Sequence, residues 1–504
     1  MSSTARLGRN IVAGLIGQAC GMATALLTAP IVIHGLGVSA YGLWNVATAL
    51  GTWVGFVNML FSTAVIRFVG EALGRGDTKA ALEAHRAIRW MATAVSLSAA
   101  ACLAGLAPWL AHHVLHVDVG QEGVATIVLE AQAVFTACQI LAAVNSGVAV
   151  AHQRLDLYNL IRSLGAALQS GGAAVVVALG HGLIAVVWWV AAMQALEWWA
   201  FAWCARRLQP TRKTGRTRLD LVGWFRQVLG YGGPLLSGYA ASQLFLPTSR
   251  ILIGTLRPVA EVAYFTIPAS LAGNVRLIST HIAHAVLPAT SEAVGQRDQS
   301  ALRQLYLSGL RWSWLTMVPL AGLAIVLGRQ FIAAWIGVEI SLRVGPLIPW
   351  LVLGMSILFL GGIPEVLAQG IGRPGPWAVM SLGAGVVNVV LGWWWISQDG
   401  TLGATKALFA AGLILTLSLF VWARRMLRLG WMDYLRALDV RVLAVTAAVA
   451  AVLSKLVPAS GASILTVVAW GLAGGMVILL AAPWWLHPDE RAWYRRQWAN
   501  LRAR

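Results

Sequence analysis

Long apolar runs, each close to the ~20 residues that cross a bilayer as a helix, follow one another with short polar stretches between them. They lie near 11–34, 42–66, 90–111, 124–150, 158–179, 183–205, 228–254, 262–288, 306–328, 346–370, 376–397, 402–423, 442–458 and 462–485. The runs are continuously apolar and do not alternate with period two, so they predict helices and exclude an outer-membrane barrel. The first run is too long for the ~7–15-residue core of a signal peptide and is expected to stay as a span. The pattern predicts an all-α polytopic membrane protein of about fourteen transmembrane helices.

Composition supports this. Of 504 residues, 58% are hydrophobic and 11% are charged, against about a quarter charged in soluble domains. Soluble, disordered and disulfide-scaffold classes are excluded. Cys20, Cys102, Cys138 and Cys204 all fall inside apolar runs and read as packing residues. The net charge of +18 suggests nucleic acid only until the charges are placed. Alternate loops, starting with the N-terminus, hold 28 of the 37 Lys and Arg, while the opposite loops hold Arg257, Arg329 and Arg343. That is the positive-inside pattern, with both termini cytoplasmic. No nucleic-acid partner is expected. No outer loop exceeds about seventeen residues, so function is expected within the bilayer or at its surfaces.

The two halves repeat. Glu71-Ala72-Leu73-Gly74-Arg75-Gly76-Asp77 follows the second run and Glu292-Ala293-Val294-Gly295-Gln296-Arg297-Asp298 follows the eighth, 221 positions on. Ala40-Tyr41 pairs with Ala263-Tyr264, and Arg89-Trp90 with Arg311-Trp312. Each half has six runs in the same orientation, a parallel repeat as in transporters built from two bundles. The expected domains are an N-lobe at 1–205, a basic cytoplasmic linker at 206–226, a C-lobe at 227–425, and two final helices with a basic tail at 426–504. The linker, with seven basic residues, is expected to lie on the anionic inner leaflet.

Ala29-Pro30-Ile31-Val32-Ile33-His34-Gly35-Leu36-Gly37, followed by Tyr41-Gly42-Leu43-Trp44, resembles the multidrug/oligosaccharidyl-lipid/polysaccharide (MOP) exporter superfamily, specifically its polysaccharide-flippase (Wzx-type) branch. Gly74-Arg75-Gly76-Asp77 with its echo at 295–298, and Gln369-Gly370-Ile371-Gly372-Arg373-Pro374, resemble later turns of the same family. The resemblance covers about residues 8–425. It implies a V-shaped pair of six-helix lobes around a central cavity. It also implies that an undecaprenyl-pyrophosphate-linked oligosaccharide moves from the inner to the outer leaflet of the bacterial inner membrane by alternating access. Surface polysaccharide (O-antigen, capsule or exopolysaccharide) would be the product. Polysaccharide polymerase and glycosyltransferases would be partners, with a monomeric protein and no cofactor. Relatives often carry an acid near the outer end of the seventh span, where this chain has Ser249-Arg250.

An ionisable residue at the bilayer centre costs about 2.5–3.5 kcal/mol on insertion scales and is a default functional candidate. Arg276, midway through the eighth run, is the strongest, and Arg250 lies nearer the outer end of the seventh. Either could grip a pyrophosphate bidentately, or simply snorkel or pair with a helix carbonyl. Arg67 and Arg311, nearer the inner surface, could touch lipid phosphate or act as topological anchors. Asn274, with His281 and His284, could make one face of the eighth run polar. Among the buried acids, Glu365 follows Gly361-Gly362-Ile363-Pro364, where the missing amide loosens a helix, and is a candidate H+ or Na+ relay. Glu197 is the second ion-coupling candidate, or else balances an arginine; Glu130 is near the outer interface. Most of the 25 tryptophans fall at span ends as an interfacial belt, while Trp53 and Trp314 are deeper and could meet glycan. The histidines at 112, 113 and 116 with Asp118 and Glu122 match no metal spacing, and no metal is expected.

Three functions compete: the lipid-linked oligosaccharide flippase, a cation-coupled multidrug exporter of the same superfamily, and a membrane polymerase or glycosyltransferase. The enzyme is disfavoured, because no large outer loop or paired carboxylates are present. No Gly-Lys-Ser/Thr phosphate loop supports nucleotide-driven transport.

Overall fold

The computed structural model describes residues 23–117, 120–209, 220–296, 298–373, 375–458 and 461–484; the side chains of 234–235, 274–285, 287–289, 291–292, 295 and 483 fall outside that description. Its regular structure, over the described residues, is helical throughout. The first half comprises α1 (Ala23–Leu36), α2 (Val38–Gly55), α3 (Asn58–Gly74), α4 (Thr78–His113), α5 (Glu122–Ala151), α6 (Leu155–Ala178) and α7 (Leu183–Leu208). The second comprises α8 (Leu221–Gln243), α9 (Leu246–Leu256), α10 (Ala260–Gly295), α11 (Gln299–Trp335), α12 (Val338–Val344), α13 (Leu347–Leu360), α14 (Gly362–Gly370), α15 (Gly375–Asp399) and α16 (Thr401–Leu427). The C-terminal part adds α17 (Trp431–Ala437), α18 (Val440–Leu456) and α19 (Ile464–Leu480).

A helix stands at every predicted run, which makes this a multi-pass, all-α membrane protein with about fourteen spans. Among the described residues, nine spans qualify on length and hydropathy alone. The others are the described part of the first, the second and seventh (each broken in two), the long α10, and the 17-residue α19. Between α1 and α2 the chain bends by 119° at Gly37, where φ is +83°; only glycine takes that conformation cheaply. The basic segment expected at 206–226 falls mostly outside the described residues, as do Asp118, the N-terminal arginines and the basic tail.

The repeated heptads have the same physical job. The Asp77 amide donates to the Ala72 carbonyl at 2.9 Å, and the Asp298 amide to the Ala293 carbonyl at 3.0 Å. Each is the six-to-one bond that closes a helix in a Schellman turn, and Gly76 supplies the positive φ in the first copy (+72°). The same aspartates then start the next helix. Asp77 accepts from the Ala80 amide, and Asp298 from the Ser300 and Ala301 amides, satisfying donors that a helix N-terminus leaves bare. Hydrogen bonds from Ser300 and Ala301 hold the Asp298 carboxyl below the usual carboxylate range. Position 85 and its repeat partner 306 are also alike in being buried and polar. His85 Nδ1 lies 2.9 Å from Gln209 Oε1. The Tyr434 hydroxyl donates to the Phe420 carbonyl, so Tyr306 must be the donor in the 3.0 Å Tyr306–Tyr434 bond.

The chain forms two compact units. One comprises the residues up to Thr266 with Asn388–Ala404, the other Ile267–Val387 with Thr405 onward. In the first, α3, α4 and α5 pack through small and β-branched side chains such as Ala64, Val65, Ala81, Ala84, Ala92 and Val144. Apolar transfer does not drive helices together in lipid, so close van der Waals approach must, and small residues permit it. Polar contacts at its C-terminal end tie Asn388–Ala404 into this unit. Arg257 donates to the carbonyls of Ile396 (3.1 Å) and Ser397 (2.8 Å), a cation at a helix C-terminus, and Thr401 donates to Glu261 at 2.7 Å. In the second unit, the final helices are packed elements. Val442 and Ile478 meet Leu315 and Val318 of α11, and Leu453 and Val467 meet Leu327.

Asp77→Ala is expected to cost about 1 kcal/mol and Asp77→Asn much less, read as thermal unfolding of the detergent-solubilised protein.

Candidate functional site

The seventh span does not run through as one helix. Pro247 stands at the start of α9, where it lacks the amide that would bond the Gln243 carbonyl and its ring crowds that oxygen. α8 therefore stops at Gln243 and α9 begins at Leu246. Breaking a helix in hydrocarbon is tolerated only where other groups take over the freed carbonyls. Here the Thr248 hydroxyl donates to the Gln243 carbonyl at 2.8 Å. The Asn388 amide donates to the Leu244 carbonyl at 2.8 Å, and the Ser249 hydroxyl to the Phe245 carbonyl at 3.0 Å. The indole N–H of Trp53, from α2, donates to Thr248 at 2.9 Å.

Next to these caps sits Arg250. Its Nε is buried and finds no acceptor among the described residues, and no described carboxylate pairs with the guanidinium. Its electrostatic neighbour is Tyr41 of α2. Gln243 Oε1 and Asn388 Oδ1 are likewise buried without a partner among the described residues, and such groups cost about 1–3 kcal/mol each when left unmade. The break thus holds one positive charge and several idle hydrogen-bonding atoms. Gly42 allows α2 to come this close, because a Cβ there would run into the Val259 carbonyl.

The other candidates have different settings. Arg67 on α3 is exposed, with its guanidinium 4.0 Å from the Tyr231 ring centroid in a cation–π contact. Arg311 is buried, 3.9 Å from Asp439, and donates to the Arg436 carbonyl; Arg441 also grips Asp439, so the cluster fastens α11 to the start of α18. Glu197 on α7 accepts from Arg162 on α6 at 3.0 Å. Glu365 stands in the first turn of α14, after a break at Gly361, and accepts from Gln369 at 3.2 Å. Asn274, Arg276, His281 and His284 lie along α10, but their side chains are outside the described residues. Trp314 donates to the Asp439 carbonyl, so its indole N–H, like that of Trp53, is already used within the fold. Among the described residues no three His, Cys, Asp or Glu could hold a metal ion.

A search restricted to ionisable residues passes over Asn388, Thr248 and Gln243. The signal that finds them is Pro247 inside an apolar run, since a proline there requires side chains to serve its carbonyls.

A family profile described as "polysaccharide biosynthesis protein" matches residues 36–339, more than half the chain. The chain belongs to this family. No curated protein sequence matches it significantly. Among solved structures, this member of the family is similar to the lipid II flippase MurJ in an inward closed conformation. The TM-score is 0.74 at 14% identity, covering 93% of this chain and 98% of that one. It is also similar to an inward-facing multidrug-resistance MATE transporter of the MOP superfamily (TM-score 0.66, 14% identity, 82% and 98% covered). A MOP superfamily transporter from Pyrococcus furiosus, described as having a binding pocket of reversed polarity, matches with TM-score 0.56 at 16% identity, covering 84% and 95%. At these identities the likeness is one of fold, and the fold is that of the MOP transporters.

Asn388→Leu should leave the Leu244 carbonyl bare and lower stability by about 1–3 kcal/mol. Asn388→Leu combined with Pro247→Ala, which gives position 247 back its amide and frees Gln243 from the ring, should recover part of that loss in the same unfolding assay.

Proposed function

We propose that this protein carries a polyprenyl-pyrophosphate-linked oligosaccharide from the inner to the outer leaflet of the bacterial inner membrane, by alternating access, for surface-polysaccharide biosynthesis. The observation that carries the reading is Arg250. A polysaccharide-biosynthesis family member keeps, inside a span and at a helix break, a half-buried guanidinium with no carboxylate partner among the described residues, and an anionic headgroup is the ligand that would balance it. One planar fork of N–H donors is enough to match two phosphate oxygens. Arg276, midway through the eighth run, and Asn274 are further candidates for phosphate contact from their place in the sequence. Arg67, toward the inner end of α3, is the proposed first contact for an arriving diphosphate.

The alternative is a cation-coupled multidrug exporter, in keeping with the MATE-like fold. A site for cationic drugs calls for carboxylates, and the broken seventh span offers an arginine where relatives often carry an acid. The family match favours the saccharide reading as well. The role is transport without bond making, so no residue is assigned to catalysis. Both termini are taken as cytoplasmic from the basic loops. Glu365, in the first turn of the helix that follows the break at Gly361, is the proposed H+ or Na+ relay, and Glu197 is left to its pair with Arg162.

The test is transport in proteoliposomes, scored by enzymatic access to a lipid-linked saccharide placed in one leaflet. Arg250→Ala and Arg276→Ala should each slow transfer at least tenfold at equal protein levels, with Arg250→Lys between Ala and wild type. Transfer unaffected by Arg250→Ala would overturn the assignment of that residue. Wild-type protein that moves cationic drugs and no lipid-linked saccharide would replace the reading with the exporter. For coupling, Glu365→Gln should abolish any acceleration by a proton or sodium gradient.

A further inference from the structure

Among the described residues, the ion pair that crosses between α6 and α7 is Arg162–Glu197, at 3.0 Å. The two partners are very unequal in exposure: 54% of the Arg162 side chain is accessible against 4% of Glu197. Glu197 fits because position 165 is glycine; a Cβ there would stand 3.0 Å from its Oε2. Tyr158, one turn before Arg162, interacts with the same guanidinium. Farther along the seam Gln169 donates to Gln194 at 3.2 Å, and the Trp189 indole to the Leu168 carbonyl at 3.0 Å.

The direction of Arg162 follows from the helix. The exposed apolar stripe of α6 runs through Leu160, Leu164, Leu168, Val175 and Leu179, the spacing of a lipid-facing surface. Arg162 and Ala166 are exposed or half-exposed too, but at ~100° per residue they sit about 160° around the helix from that stripe. This is a second accessible strip on the same helix, facing away from the apolar stripe, and Arg162 stands on it about one turn inside the start of the run near 158–179.

Charge balance then separates two arginines of the same unit. Arg250 has no carboxylate partner among the described residues. Arg162 is neutralised by Glu197, yet guanidinium carries five N–H donors and only one is committed to that carboxylate. A neutral, half-exposed cluster of donors suits a ligand rich in oxygen acceptors and without charge.

We propose that Arg162, oriented by Glu197 and flanked by Tyr158, is a subsite for the uncharged, hydroxyl-bearing saccharide of the substrate, separate from the diphosphate subsite at Arg250. The proposal rests on the flippase reading and divides its substrate between two places. In it Glu197 is a positioning residue and carries no ion.

The experiment measures equilibrium binding to purified full-length protein with two probes: undecaprenyl pyrophosphate, and the same lipid bearing a neutral N-acetylhexosamine disaccharide. Wild type should bind the disaccharide form more tightly. Arg162→Ala should weaken that form about tenfold and leave undecaprenyl pyrophosphate within about twofold, while Arg250→Ala weakens both. Glu197→Gln releases the charge on Arg162 and should tighten undecaprenyl pyrophosphate severalfold, which a purely structural role for the pair does not predict. Equal losses for both probes in Arg162→Ala, no loss for either, or no gain in Glu197→Gln would overturn the saccharide subsite and leave the flippase reading standing. Failure of wild type to bind either probe would overturn both.

Discussion

In hydrocarbon a carbonyl without a partner has no water to turn to, and that constraint shapes the seventh span. Pro247 removes one backbone bond, and the structure answers with side chains from three places. Thr248 reaches back to Gln243, Asn388 of α15 comes across to Leu244, and Trp53 of α2 steadies Thr248. These bonds fix where α2, α9 and α15 meet. Arg250 is in the first turns of α9, so the same bonds fix the backbone from which its side chain extends.

The basic residues divide by what balances them. Those in alternate loops lie outside the apolar runs. Arg257 answers the carbonyl end of α15, Arg311 answers Asp439, and Arg162 answers Glu197. Arg250 answers nothing that the described residues supply. Arg250 is half-buried, and a charge held inside a span without a partner is unfavourable. The anionic ligand proposed for it would offset that cost. The same reasoning lowers the standing of Arg311, whose surroundings are those of a structural fastening.

The spans were legible in the sequence because apolar length is a property of the chain alone. The repeat was legible too, and its cause is local: Asp77 and Asp298 each close one helix and start the next, so the motif is kept at a 221-residue spacing. Arg250 could be picked out because charge in an apolar run is conspicuous. Asn388 could not, since a lone asparagine in such a run says nothing about which carbonyl, 144 residues away, it will cap. The pairing of Glu197 with Arg162 was open for a related reason: two charges on neighbouring spans meet only if the register of α6 against α7 allows it, and the room that Gly165 leaves for the Glu197 carboxylate shows only in the structure. The break in the seventh span was written in Pro247, yet an apolar run with prolines at 234 and 247 reads as continuous until the carbonyls around Pro247 are followed to their partners.

Everything in the functional account turns on where the diphosphate rests. The most direct measurement is an experimental structure of the protein with undecaprenyl pyrophosphate bound. The account predicts diphosphate oxygens within hydrogen-bond distance, about 2.7–2.9 Å, of the Arg250 guanidinium. A diphosphate bound elsewhere, with Arg250 still without a partner, would contradict it.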